Sequence, residues 1–304
     1  MIAAVTRHRL RVLHRQRVVI VTASTLLVVT ALAGVLGWSS HRTIVRVYDE
    51  AARLLASTGQ PAPPNPFLLK PRLSALSNLV VYIPLVGALL ALVLGHLALA
   101  DDESAGLGRL VFSRAVRRTQ VALGTVLAVG LVLAGVLLAG LVVSAAALLL
   151  VNGSVTADEL ARLGAFFALS WLYLLAFALV GMATVLLARA RALALLGAIG
   201  VWLVVTFAVP QLTSGLRPTQ SLNPISEPVG TSQAFFRVTE HARPFSVVEQ
   251  FKAASGVVLR TAPPEPVVST LVRVLPLLVA TALLLGLLVR LVGSHDWSRG
   301  AGDE

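Results

Sequence analysis

The chain has 304 residues, of which 57% are hydrophobic and only 13% charged, with a formal net charge of +11. Its apolar residues come in runs too long for core helices of a soluble domain, so the composition predicts an all-α, multi-pass membrane protein. The 25 basic residues include two lysines, Lys70 and Lys252, and the arginines stand mainly at the ends of apolar runs, where they can meet lipid phosphates. This pattern argues against nucleic acid as a partner. The lack of cysteine excludes disulfides and thiolate metal sites.

In chain order, the arginine-rich residues 1–17 are expected to form a cytoplasmic helix that leads into the membrane. A hydrocarbon core of about 30 Å requires about 20 helical residues. Six stretches reach or approach this length and predict transmembrane helices at residues 18–38, 79–100, 121–151, 163–188, 192–209 and 270–292. The first stretch could instead be a signal peptide cleaved near Ala31-Leu32-Ala33. Its length and its interfacial Trp38 favour a membrane span.

Six spans place both termini on one side of the membrane, and the arginines of the short segments indicate which side. The amino-terminal tail, residues 101–120 and the Arg189-Ala190-Arg191 turn are arginine-rich, so the positive-inside rule places them in the cytoplasm. The loops at residues 39–78 and 210–269 then lie outside. Because the preference for arginine over lysine suggests a GC-rich bacterial genome, the expected location is a bacterial plasma membrane.

Both outer loops contain helical patterns. Apolar residues from Ile44 to Leu55 follow helical spacing until Gly59, and Ser246 with Glu249 forms a capping-box pattern that opens a helix toward Val258. We expect both helices to rest on the outer membrane surface. The sequence leaves open whether they gate a substrate or simply connect spans.

The span interiors contain no Asp, Glu or Lys, which disfavours an ion-driven carrier. His96 is expected to be a packing or interface residue, and Arg273 is expected to snorkel to the outer headgroups. Pro84 and Pro276 predict kinks in the second and sixth spans. The chain contains no pair of carboxylates within a span and no H-E-x-x-H motif, so the sequence predicts no catalytic or metal centre within the membrane.

Small residues form two stripes that permit close helix packing. Gly87, Ala91 and Gly95 lie on one face of the second span, and Gly140 and Ser144 lie on one face of the third. We interpret both stripes as packing within the chain.

The most informative segment is the charged island at residues 101–120. Asp101 to Glu103 are expected to start a short helix, on which Leu107, Leu110 and Val111 share one face. Two interpretations remain open from these residues alone: an interfacial helix on the lipid surface, or a helix seated in a groove of a soluble partner.

This segment resembles the cytoplasmic loop after the second span of ABC type-2 transporter permeases. That loop reads acidic-x-x-x-G-T-L-x-x-L-L-S-x-P-V-S-R and continues with x-Q-V-L-L-G-K. Matching positions are Asp102, Gly106, Ser113, Val116, Arg118, Gln120, Val121, Leu123 and Gly124, and departures are Leu107, Gly108, Ala115, Arg117, Ala122 and Thr125. Similarity extends more weakly over the whole chain. The nearest subset includes the permease of nitrous-oxide-reductase maturation.

The resemblance implies that residues 101–120 couple the permease to an ATPase subunit. Glu103 and Arg109 would make polar contacts, and Leu107 and Leu110 would seat the helix. Three arginines would hold the segment against lipid phosphates or the ATPase: Arg114, Arg117 and Arg118. The full set of expected ATPase-interface residues is Asp102, Glu103, Gly106, Leu107, Arg109, Leu110, Ser113 and Arg118.

The sequence contains no G-x-x-x-x-G-K-S/T phosphate loop, so ATP and Mg²⁺ are expected on a separate ATP-binding-cassette ATPase subunit. The expected assembly pairs this chain, which is not itself an enzyme and binds no cofactor, with a second permease copy or a paralogue and with membrane lipid. The predicted function is export, or movement between leaflets, of a substrate that the sequence does not identify. The alternative is a non-transporting anchor or sensor that docks an ATPase or an outer partner.

Overall fold

The computed structural model describes residues 2–15, 17–60, 71–104, 117–188, 190–213 and 241–295, without the side chains of residues 41 and 101–104. Throughout these ranges the regular secondary structure is helical, which confirms the predicted all-α fold. The α-helices are α1 (Ile2–Arg15), α2 (Arg17–Ser57), α3 (Leu79–Tyr82), α4 (Ala88–Ser104), α5 (Arg118–Asn152), α6 (Ala157–Leu187), α7 (Arg191–Leu203), α8 (Val209–Thr213), α9 (Val247–Val258) and α10 (Val267–Ser294).

Within the described residues, six helical stretches are long and apolar enough to cross a membrane. They are Arg17–Ser57, Arg72–Ala100, Arg118–Asn152, Ala157–Leu187, Arg191–Thr213 and Val267–Ser294, and we call them the first to sixth spans. The second span joins α3 to α4 through a π-helical turn, Ile83–Gly87, and the fifth joins α7 to α8 through another, Val204–Ala208. These stretches match the six predicted spans in number and order.

The first span is longer than expected. The sequence suggested a span ending at Trp38 and a separate helix from about Ile44, whereas α2 continues unbroken to Ser57. Neither glycine nor proline occurs between Trp38 and Ser57, so nothing in this stretch interrupts the helix. The helix ends where predicted, because Gly59 adopts a positive φ of 75° and Gln60 N–H donates to the Leu55 carbonyl.

The fourth span also begins earlier than predicted, at Ala157 rather than residue 163. Thr156 and Glu159 form a reciprocal capping box: the Thr156 hydroxyl accepts from Glu159 N–H, and the Glu159 carboxylate accepts from Thr156 N–H. This box satisfies two free amides at the helix start and lets the helix begin in a polar stretch.

The second and fourth spans pack backbone against backbone. A Cβ atom at Gly95 would overlap the Ala178 carbonyl, and one at Gly181 would overlap the Leu92 carbonyl. His96 is buried beside this contact, since its backbone nitrogen also lies near Gly181. The described residues therefore support the packing role expected for His96.

Both stripes of small residues face other helices of the same chain, as predicted. Gly87 lies against Leu174 and Leu26, and Gly140 lies against Phe167 and near the Thr30 hydroxyl. Ala91 and Ser144 are fully buried.

The two prolines have different surroundings. Pro84 lies in the π-helical turn of the second span, and its carbonyl accepts a 3.4 Å hydrogen bond from Trp202 Nε1 of the fifth span. The disturbance expected at Pro84 thus takes the form of a π-helical turn that another helix supports. At Pro276 the sixth span continues as one helix from Val267 to Ser294.

Candidate coupling site

The segment singled out from the sequence joins the second and third spans, and the structure describes its two flanks. Asp101 to Ser104 form the last turn of α4. The expectation that these acids start a new helix was therefore wrong. The chain has no glycine or proline between Gly95 and Gly106, so the helix of the second span continues through the acidic residues.

Most of the expected ATPase-interface residues lie outside the described residues. They are Gly106, Leu107, Arg109, Leu110 and Ser113; Arg114, which was expected to contact lipid phosphates or the ATPase, also lies outside the described residues. Asp102 and Glu103 are described only in their backbone. The contacts expected of these eight residues remain predictions.

Arg117 and Arg118 form the return flank. Arg117 is exposed, has extended backbone (φ −66°, ψ 129°), and directly precedes α5. Arg118 Nη1 donates to the Gly293 carbonyl at 2.7 Å and to the His295 carbonyl at 3.2 Å. Arg118, which was expected to face lipid or an ATPase, thus binds the last carbonyls of the sixth span.

A second arginine binds the departing flank. Arg191, the first residue of α7, donates from Nη2 to the Ala100 carbonyl at 3.0 Å, in the last turn but one of α4. Sequence reasoning used the Arg189-Ala190-Arg191 turn only for orientation and missed this contact. A cation at the first residue of a helix is disfavoured by the helix dipole, and this was the available signal that Arg191 has another role.

Helix α1 packs beside the return flank, at the start of the third span. The Thr6 hydroxyl lies within hydrogen-bond distance of the Ile2 carbonyl at 3.1 Å and the Gly124 carbonyl at 3.2 Å. A Cβ atom at Gly124 would press on Val5. The leading helix predicted over residues 1–17 is thus present as α1, and glycine at position 124, which matches the family pattern, permits its close approach.

These contacts define one end of the bundle, which we call the α1 face. It contains α1, the end of α4, the starts of α5 and α7, and the end of α10. Two exposed arginines, Arg118 and Arg191, join neighbouring helices that run in opposite directions across this face.

Helix α9 lies toward the opposite end and differs from expectation. The Ser246 hydroxyl accepts from Glu249 N–H at 3.4 Å, and the helix begins at Val247 and ends at Val258, as the capping pattern predicted. However, α9 is not simply resting on the membrane surface. The Phe251 ring is 1% exposed and lies 4.6 Å from the Tyr173 ring, near the middle of α6.

The apolar side of α9 explains this position. Val248, Phe251 and Ala254 recur at helical spacing and are fully or almost fully buried. Tyr173 also approaches Thr206, in the π-helical turn of the fifth span, although neither hydroxyl completes a well-formed hydrogen bond. Helix α9 therefore contributes to the core of the bundle.

Arg273 has a protein partner in addition to the headgroups that it was expected to reach. Its guanidinium pairs with Glu265 through two hydrogen bonds, Nε to Oε2 at 3.0 Å and Nη2 to Oε1 at 2.6 Å. A bidentate carboxylate satisfies the charge locally, so Arg273 does not depend on headgroups alone. Glu265 precedes the helix by two residues and was not recognised as its partner from the sequence.

In the part of the chain that the structure describes, no group of three or more His, Asp or Glu residues is placed to hold a metal ion. At the α1 face, the two described flanks of the link between the second and third spans are hydrogen-bonded to the fifth and sixth spans.

The fold defines a polytopic helical membrane protein, and hydrogen bonds at the α1 face hold both described flanks of the link between its second and third spans. The family model described as ABC-2 family transporter protein matches residues 3–297. The chain therefore belongs to the ABC-2 family of transporter proteins, as the resemblance at residues 102–124 predicted. No curated protein matches the chain significantly.

Membership has direct consequences for function. Members of this family are membrane permease subunits of ABC transporters, are generally not catalytic themselves, and normally work with an ATP-binding-cassette ATPase subunit. The chain is thus a multi-pass permease for transmembrane transport.

Proposed function

We propose that this chain is the membrane subunit of an ATP-driven exporter, and that a separate ATPase subunit, carrying ATP and Mg²⁺, docks on residues 101–120. Family membership supports this assignment. The observation that carries the docking site is the coincidence of the family pattern at residues 102–124 with the link between α4, which ends at Ser104, and α5, which begins at Arg118.

The α1 face is proposed to be cytoplasmic, in a bacterial plasma membrane. Arginine enrichment in the short segments on this side supports that orientation through the positive-inside rule. An ATPase would then approach the same face that carries the docking segment. Both termini would also be cytoplasmic.

A second permease, identical or a paralogue, is proposed to complete the transport path. Only 17% of the most apolar stretch of the fifth span, and of the sixth, is buried within the chain, against 61% for the fourth. These two spans therefore have apolar surface available for lipid or for another permease.

The nearest family subset is proposed to be the one that includes the nitrous-oxide-reductase maturation permease, a resemblance that does not define a substrate.

The docking proposal is tested by co-purification with the cognate ATPase subunit. The double variant Arg109→Glu with Arg118→Glu is expected to abolish co-purification. Each new carboxylate would repel the acidic or polar ATPase groups that the arginine is proposed to attract. Since Arg118 also binds carbonyls of the sixth span, Arg109→Glu alone is included, and Arg290→Glu serves as an exposed control near the end of the same span. Wild-type co-purification of the double variant would refute docking at this segment.

Transport is separated from a pure anchoring role by ATP turnover in reconstituted vesicles. Turnover that rises with a transported solute or lipid supports export. ATPase activity indifferent to every solute and lipid tested would instead support the anchor or sensor alternative.

A further inference from the structure

The two arginine contacts at the α1 face share one geometry. Arg118 and Arg191 are the first residues of α5 and α7, and each donates to carbonyls at the carboxyl end of another span. Arg118 binds the Gly293 and His295 carbonyls of the sixth span, and Arg191 binds the Ala100 carbonyl of the second.

Helix electrostatics explain why these arginines bind across to a neighbouring helix. The first turn of a helix carries partial positive charge, so a cation there gains nothing from its own helix. Gly293 lies in the last turn of the sixth span, where carbonyls lack intrahelical partners and carry partial negative charge. Ala100 lies one turn before the end of α4, so Arg191 binds near the negative end of that helix rather than at one of its free carbonyls. Each guanidinium therefore links the start of one span to the end of another.

The positions of the two links matter because they bracket the proposed docking segment. Ala100 immediately precedes residues 101–117, and Arg118 immediately follows them. The departing flank is thereby tied to the start of the fifth span, and the return flank is tied to the end of the sixth. Neither hydrogen bond is local in sequence, because Arg191 lies 91 residues from Ala100 and Arg118 lies 175 residues from Gly293.

We propose that Arg118 and Arg191 are positioning residues that deliver movement of the docking segment to the sixth and fifth spans respectively. The inference rests on the proposed function, since the movement comes from a docked ATPase. The fifth and sixth spans are also the least buried of the six described, so fewer contacts within the chain oppose their displacement. The arginines act through these helices and touch neither ATP nor substrate.

The inference makes a selective prediction for each arginine. Arg191→Gln removes the tie to the fifth span and leaves the tie to the sixth, whereas Arg118→Gln does the reverse. General destabilisation would instead weaken the response of both spans in both variants.

The test uses spin labels on the full-length chain with its cognate ATPase subunit in lipid vesicles. Because the chain has no cysteine, single cysteines can be placed at Leu212, toward the far end of the fifth span, and at Val268, at the start of the sixth. Both side chains are exposed. The electron paramagnetic resonance line shape is recorded with and without Mg²⁺-ATP and vanadate.

In the wild type we expect both labels to change line shape on addition of nucleotide. Arg191→Gln is expected to lose the change at position 212 and keep it at position 268, and Arg118→Gln is expected to show the opposite pattern. Arg118→Lys and Arg191→Lys keep a cationic donor and should retain part of the response. Arg290→Gln, which removes one exposed arginine near the same end of the sixth span, should behave as the wild type.

Two outcomes overturn the inference while the ATPase still co-purifies: an unchanged response of its own span in either glutamine variant, or an equal loss at both labels. Failure of the wild-type chain to bind an ATPase is a different result, and it would overturn the proposed function itself.

Discussion

At the scale of single residues, Gly95 and Gly181 determine how closely the second and fourth spans approach. Each glycine faces a backbone carbonyl of the other helix, so even a methyl group would have to displace main chain. The small-residue stripe on the second span indicated such packing. The sequence did not indicate that Gly181 would be its counterpart, because the stripe does not specify its partner helix.

Gly181→Ala is expected to lower stability by about 1–3 kcal/mol or more, because helix backbones must separate to admit the new Cβ atom. The matched control is Gly164→Ala on the same helix, where nothing lies within 4 Å of the added atom. The control should be neutral or slightly stabilising, since alanine favours a helix over glycine. Thermal unfolding of the purified protein in detergent measures both. Equal unfolding temperatures for the two variants would contradict the close packing.

At the scale of elements, an aromatic side chain holds α9 in the core, and another supports the π-helical turn at Pro84. The Trp202 side chain supports the turn at Pro84, and the ring of Phe251 packs against Tyr173. The boundaries of α9 were predictable because the Ser246 cap and the apolar spacing are local signals. Its burial was not, because an amphipathic helix fits a lipid surface and a protein core equally well.

Phe251→Ala is expected to cost about 3–5 kcal/mol of stability, by analogy with buried phenylalanines in other cores. Phe245→Ala is the control, since that ring lies six residues earlier and is 78% exposed. Chemical denaturation in mixed micelles should separate the two variants clearly. If Phe251→Ala costs no more than Phe245→Ala, α9 rests on the membrane surface as the sequence first suggested.

At the scale of the whole molecule, the proposal concerns which face of the bundle is cytoplasmic. Thr58, just beyond the end of the first span, and Ser294, at the end of the sixth, are exposed and belong to opposite faces of the bundle. The absence of native cysteine again permits single-cysteine labelling.

In intact cells, a membrane-impermeant maleimide is expected to label Thr58→Cys but not Ser294→Cys. After the membrane is permeabilised, both should react. The physical reason is the arginine enrichment of the short segments on the α1 face, which retains them in the cytoplasm. Labelling of Ser294→Cys alone in intact cells would reverse the proposed orientation.

The sequence by itself determined the all-α class, the six spans, the caps at Gly59 and Ser246, and the family. Hydropathy over about 20 residues decides whether a segment can span a bilayer, and a cap involves only three or four neighbouring residues, so both can be recognised without a fold. Only the tertiary structure decided the burial of α9, the Glu265–Arg273 pair and the two arginine ties at the α1 face. Arg118 illustrates the reason: its charge suggested lipid or an ATPase, and the structure adds hydrogen bonds to the carbonyls of Gly293 and His295 that the sequence did not indicate. Every residue has such a carbonyl, so no side-chain pattern marks the partner, and the packing of distant helices selects it.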